Sequence, residues 1–149
     1  MQAGIDVLTI GNAIVDVIAK VDDAFVQKNG LVKGSMNLID EVRAEALYAS
    51  MGPAIEISGG SAGNTAAGVA SFGGKAAYFG KVKADQLGKI YAHDMRAQGV
   101  QFDSKAATDG PATARSFILV TPEGERTMNT YLGACVHLTT ADVDEEIVS

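Results

Sequence analysis

With 149 residues, 47% of them hydrophobic and 20% charged, the chain holds enough apolar side chain for about one domain of ordinary size, which excludes a disordered segment. A net charge of -6, with no cluster of Lys or Arg, excludes an electrostatic grip on nucleic acid and favours a small-molecule partner. The lone Cys135 rules out an internal disulfide and a thiolate zinc site, and no apolar run reaches the roughly 20 residues that span a bilayer.

The segment Ile5-Asp6-Val7-Leu8-Thr9-Ile10 is apolar and β-branched and runs into Gly11-Asn12, which predicts a largely buried strand ending in a turn. Ile14 to Ala19 resumes as a strand with Asp16 inside the apolar run, a costly place for a carboxylate that has no partner. A short helix is expected over 22–29, capped by Asp22 or Asp23, then a strand at 35–39. Residues 40–51 read as a helix whose apolar stripe is Val42, Ala46, Leu47 and Ala49. Ile55 to Ser58 is a short strand feeding Gly59-Gly60-Ser61-Ala62-Gly63-Asn64-Thr65-Ala66.

That glycine-rich loop is the most informative stretch of the chain. Three glycines precede a helical run in which Ala66, Ala67, Val69, Ala70 and Phe72 recur at helix spacing, and Gly73-Gly74 stops it. A helix start leaves unpaired N–H groups and a positive dipole end, so the loop suits an anion, a hydroxyl group or simply the next strand. Neither a dinucleotide fingerprint nor a P-loop is present, because no Gly-x-Gly-x-x-Gly lies between a strand and a helix and no Gly-Lys pair is followed by Ser or Thr.

Lys75 to Gly80 follows as a strand, Asp85 to Gln98 as a helix closed by Gly99, and Val100 begins another strand. Strands alternating with crossover helices predict an α/β fold with a largely parallel sheet. Arg115–Thr121 and Arg126–Tyr131 depart from that rhythm: joined by Pro122-Glu123-Gly124-Glu125, they predict a β-hairpin that forms a small second sheet with the strands around Val17 and Leu38. Thr139 and Thr140 cap an acidic helix start at 141–148, with Val143 and Ile147 on one face; a well-capped helix that runs only about two turns leads us to expect a longer parent.

The glycine loop, the Gly11-Asn12-Ala13-Ile14-Val15-Asp16 segment and the Gly124-Glu125-Arg126 hairpin together resemble the N-terminal half of the ribokinase or PfkB family of carbohydrate kinases, in particular its adenosine kinase-like branch. The likeness runs in order along all 149 residues. It implies a ribokinase-like, doubly wound α/β/α domain with a small β-sheet lid, truncated here, with lid strands near 12–20, 34–39 and 113–132. It also implies an enzyme that uses ATP and Mg²⁺ to phosphorylate a primary hydroxyl of a sugar or nucleoside, and the lack of a bilayer-spanning run and of a basic, apolar start over Met1 to Asp6 adds the expectation of a cytoplasmic location.

By the same resemblance, Asp16 accepts hydrogen bonds from ribose-type hydroxyls and Asn12 lines the same pocket. Gly59 and Gly60 let the backbone approach the sugar, and the Asn64 amide binds its hydroxyls from the helix start. Met128, Thr130 and Leu132 close over the base or sugar. The family's anion-binding Gly-Ala-Gly-Asp-type motif, with its catalytic base and nucleotide pocket, has no counterpart in this sequence, so no catalytic residue and no metal ligand is expected here, and ATP and Mg²⁺ would be held mainly by the absent half. A homodimer through the lid or an exposed sheet edge is the association the resemblance allows.

Plainer readings stand beside these. The glycine loop could be a structural turn, Asp16 a solvated edge residue, Asn12 a turn cap, and Met128, Thr130 and Leu132 ordinary packing. His93 and His137 lack partners at metal spacing, and Cys135 reads as a small buried apolar residue. The whole chain could also be a non-catalytic α/β module that binds a metabolite or oligomerises.

Overall fold

Two sheets of different construction share the chain in the computed structural model, which describes residues 4–148. The first is parallel: β1 (Val7–Ile10), β5 (Ala76–Phe79) and β6 (Val100–Gln101) lie in the order β1-β5-β6. All four residues of β5 are buried, as a parallel strand covered on both faces requires, so its sequence is apolar throughout rather than alternating. Helix α3 (Ser61–Ser71) packs on β1 and β5, and α4 (Gln86–Ala97) carries the chain from β5 to β6.

The second sheet is mixed, in the order β3-β8-β7-β2-β4, with β2 (Ile14–Lys20) near its middle. Strand β2 runs antiparallel to β4 (Ile55–Gly59) and parallel to β7 (Ala114–Val120), which forms a hairpin with β8 (Arg126–Tyr131); β3 (Met36–Leu38) lies parallel to β8. Alternation in β2 is strict. Val15, Val17 and Ala19 are buried against the core, while Ile14, Asp16 and Ile18 on the other face are only half-buried.

Helices start where the sequence offers an acidic cap. Asp22 accepts the Phe25 N–H at the start of α1 (Asp23–Lys28), and Asp40 accepts the Arg43 N–H at the start of α2 (Glu41–Ser50), each at 2.8 Å. The interior of α2 corrects the expected stripe: Val42, Ala46 and Ala49 are exposed, Val42 by 79%, and the buried residues are Ala44 and Leu47. Those two positions join the core, where α2 packs against β8 of the second sheet. Phe72 is likewise no part of the apolar face of α3, being 94% exposed at the helix C-cap. The helix expected from Thr139 is a single 3-10 turn, Thr140–Asp142, closed by a capping box between Thr139 and Asp142, and the α-helix begins only at α5 (Glu145–Val148). Asp142 is held there by an ion pair with Lys81, which ties the turn to the end of β5.

Asp85 fixes α4 against the second sheet. Its carboxylate accepts the Gly88 N–H at 2.8 Å, the Thr113 N–H at 2.9 Å and the Thr113 hydroxyl at 2.6 Å, so the helix start and the residue before β7 share one anchor. Burial pushes its pKa up, but the bonds from Thr113 and Gly88 outweigh that and leave it below the ordinary value. Because the folded-state pKa is depressed, the stabilisation is present above the unfolded value and lost as pH falls through the folded one. Asp85→Ala is expected to cost about 2 kcal/mol, the sum of a lost N-cap and of hydrogen bonds to the buried Thr113, as read by chemical denaturation at neutral pH. The difference from wild type should shrink as the pH drops below the carboxylate range.

Candidate functional site

Cross-strand register assembles the site. Residues directly opposed in neighbouring strands share a face, so the pairs Ile57↔Asp16, Asp16↔Ser116, Ser116↔Thr130 and Thr130↔Leu38 form one row across all five strands. The next row is Ile55, Ile18, Ile118, Met128 and Met36. The face that looks away from the core is therefore apolar with a polar centre: Asp16, then Ser116 and Thr130, whose hydroxyls lie 2.8 Å apart. Ile55 is 67% and Leu38 64% exposed, so this face stands open at both edges.

The Gly59-Gly60 turn closes one end of the face. A Cβ on Gly59 would sit 2.5 Å from Asp16 Cγ and 2.6 Å from its Oδ1, so only a glycine leaves room for the carboxylate. Gly60, at φ +85°, presses against the Asn12 carbonyl and is the N-cap of α3. The Asn64 N–H bonds back to the Gly60 carbonyl at 2.9 Å, and the Asn64 side chain stands exposed one turn into the helix. Asn12, Asp16, Gly59 and Gly60 thus meet in one place, with Asn64 beside them. Thr130 lies two strands from Asp16, about 10 Å away, and Met128 sits in the adjoining row. Strand β8 ends at Tyr131, and Leu132, half-buried, opens the 3-10 turn Gly133–His137.

Asp16 is the chemical anomaly of this surface. No described residue gives its carboxylate a hydrogen bond or an ion pair, and burial among apolar neighbours pushes its pKa above the ordinary value. Such a group is short of donors, which paired hydroxyls of a ligand would supply. Among the described residues no three His, Cys, Asp or Glu side chains converge.

Local patterning missed Ser116, whose place beside Asp16 follows only from the β2/β7 register. It missed Tyr78 and Tyr91 as well. Tyr91 donates its hydroxyl to the Gly59 carbonyl at 3.1 Å and Tyr78 donates to the Gly11 carbonyl at 2.9 Å, from a buried ring cluster with Phe102 in which centroids lie 5.6–6.1 Å apart. The one available signal was an aromatic residue with a polar tip in an otherwise apolar strand or helix face.

The profile of the pfkB family carbohydrate kinases matches residues 51–149. The chain belongs to the pfkB family. Its fold is that of solved family structures: adenosine kinase from Sinorhizobium meliloti is 66% identical and superposes with a TM-score of 0.89, the match covering 98% of this chain and 45% of that one. Adenosine kinase from Trypanosoma brucei brucei, at 26% identity, gives a TM-score of 0.84 over 99% of this chain and 46% of that one. Fructokinase-1 of Oryza sativa subsp. japonica is 32% identical over 96 residues, 63% of this pfkB chain and 30% of its own length. The chain spans less than half the length of these relatives. The expected ribokinase-like α/β architecture and the kinase family are thereby shown. Among the described residues no helix is long and apolar enough to cross a membrane.

Proposed function

We propose that this chain is the acceptor-binding and lid part of a kinase that transfers the γ-phosphoryl group of ATP to a hydroxyl of a nucleoside or sugar. The observation that carries the proposal is the unpartnered Asp16 carboxylate on an open apolar face, beside a turn that only glycine permits. Asp16 accepts hydrogen bonds from two ribose-type hydroxyls, Gly59 and Gly60 let the sugar lie against the backbone, and the Asn64 amide reaches it from the start of α3. Ile18, Ile118 and Met128 offer an apolar bed that suits a flat base better than a bare hexose, so adenosine is the favoured acceptor. The Sinorhizobium relative named adenosine kinase, at 66% identity, supports the same choice.

Phosphoryl transfer needs positioning and charge stabilisation, which ATP, its Mg²⁺ and a base supply in the complete enzyme. This chain binds and orients the acceptor and shields it from water with the second sheet; turnover by the 149-residue chain alone is not expected.

Titration calorimetry with adenosine, ribose and fructose, alongside turnover with ATP in the complete kinase, tests the proposal. Asp16→Asn is expected to weaken adenosine binding at least ~100-fold, the loss of two hydrogen bonds to a charged acceptor. The same substitution should raise thermal stability at neutral pH. The folded-state pKa of Asp16 is raised, so the stability that its protonated form allows is present below the unfolded value and lost as pH rises through the folded one. A neutral amide removes that penalty. Unchanged adenosine affinity in Asp16→Asn would refute the acceptor role.

A further inference from the structure

We propose that Tyr91 is a positioning residue of the acceptor site: its buried hydroxyl holds the Gly59 carbonyl and so sets where the Gly59-Gly60 turn and Asp16 meet the acceptor. The inference rests on the acceptor-site reading above and adds to it a fully buried residue behind the site. Tyr91 projects from α4 with no exposure at all, and its hydroxyl bonds the Gly59 carbonyl at 3.1 Å across two elements distant in sequence. Ring packing does not call for that hydroxyl, since phenylalanine would fill the same contacts with Tyr78 and Phe102. Burying a hydroxyl is unfavourable unless it is bonded, and besides the neighbouring Tyr78 hydroxyl the partner here is the backbone of the turn that abuts Asp16.

Gly63 is the second observation. A Cβ there would lie 2.5 Å from the Tyr91 hydroxyl oxygen, while the next nearest atoms, Met95 Cε and Sδ, lie 3.8 Å away. The third glycine of the loop is therefore a socket for one oxygen atom. Ala would otherwise be preferred at this helical position. Tyr78 acts in parallel on the facing segment: its hydroxyl holds the Gly11 carbonyl at 2.9 Å, next to Asn12, and its ring lies 6.1 Å from that of Tyr91. Two adjoining tyrosines thus grip the two backbone segments from which Asn12, Asp16 and Gly59 arise, and Gly60 touching the Asn12 carbonyl locks those segments together.

The test uses the complete kinase, with steady-state kinetics in both substrates. Tyr91→Phe is expected to raise the adenosine KM about five-fold, the equivalent of one neutral hydrogen bond, with the ATP KM within two-fold of wild type. Gly63→Ala, which drives the hydroxyl from its socket, should raise the adenosine KM similarly. In the double variant Tyr91→Phe/Gly63→Ala the methyl group occupies the freed space, so the KM should not exceed that of Tyr91→Phe. A residue that served stability alone would leave the adenosine KM unmoved or shift both KM values together. An adenosine KM within two-fold of wild type in Tyr91→Phe, while Asp16→Asn raises it, overturns the positioning role and leaves the acceptor site standing. If Asp16→Asn also leaves it unmoved, the acceptor-site reading itself has failed. Should Tyr91→Phe not fold, Gly63→Ala decides alone, and an unchanged adenosine KM in it overturns the proposal.

Discussion

Gly59→Ala is expected to abolish acceptor binding while leaving the protein folded. The new methyl group would lie 2.5 Å from Asp16 Cγ, so the carboxylate, on a short side chain in a paired strand, must shift from the place it holds on the open face. Displacing Asp16 removes two charge-assisted hydrogen bonds of about 1.5–3 kcal/mol each, so adenosine affinity should fall by at least ~100-fold. Stability should respond weakly, because alanine is the better strand residue by a fraction of a kcal/mol and an unpartnered carboxylate gains solvent when it is pushed outward. Calorimetry and thermal denaturation on one sample separate the effects. Wild-type affinity in Gly59→Ala would mean that the acceptor does not engage Asp16.

Gly88→Ala should act in the opposite way, on folding and not on the acceptor. Its Cβ would overlap the Lys83 carbonyl oxygen and lie 3.1 Å from Thr113 Oγ1, both fixed atoms of the junction that Asp85 ties together. Backbone cannot step aside as a flexible side chain does, so a loss of about 3 kcal/mol or more is expected, seen as a fall in Tm of roughly 10 °C. Gly68→Ala provides the contrast. It too is a helical glycine, in α3, but nothing lies within 4 Å of its Cβ position, and the same substitution should stabilise by up to about 1 kcal/mol. Opposite signs at two helical glycines would tie the effect to close approach and not to propensity.

Neither glycine announces its environment locally, which shows where sequence reading stops. The α/β rhythm was legible because each unit carries its own signs: Asp85 caps α4, Gly99 at φ +84° ends it, and the hairpin turns at Gly124, φ +86°. Asp16 stood out as a charge in an apolar strand, and it is half-buried there with no hydrogen-bond or ion-pair partner among the described residues. What failed depended on the partner surface. The stripe assigned to α2 assumed a wide buried face, whereas its packing against β8 buries only Ala44 and Leu47. Ser116 joins Asp16 through a register set between strands far apart in sequence, and the Tyr91 hydroxyl through a helix crossing behind β4.

The parallel pairing of β2 with β7 sets the order in which the chain can mature on the ribosome. Ile14 meets Ala114, one hundred residues later, so the strand that carries Asp16 lacks one of its two neighbours until those hundred residues have been synthesised. At about 5–20 residues per second that interval is roughly 5–20 s, far longer than the microseconds in which a hairpin closes. Through that time the nascent chain presents Ile14, Val15, Val17 and Ile18 with one unpaired edge, the signature that chaperones recognise and that seeds association between nascent chains. Slower translation ahead of β7 would lengthen the exposure, so the yield of this protein should depend on the pace of its synthesis as well as on the stability of the finished fold.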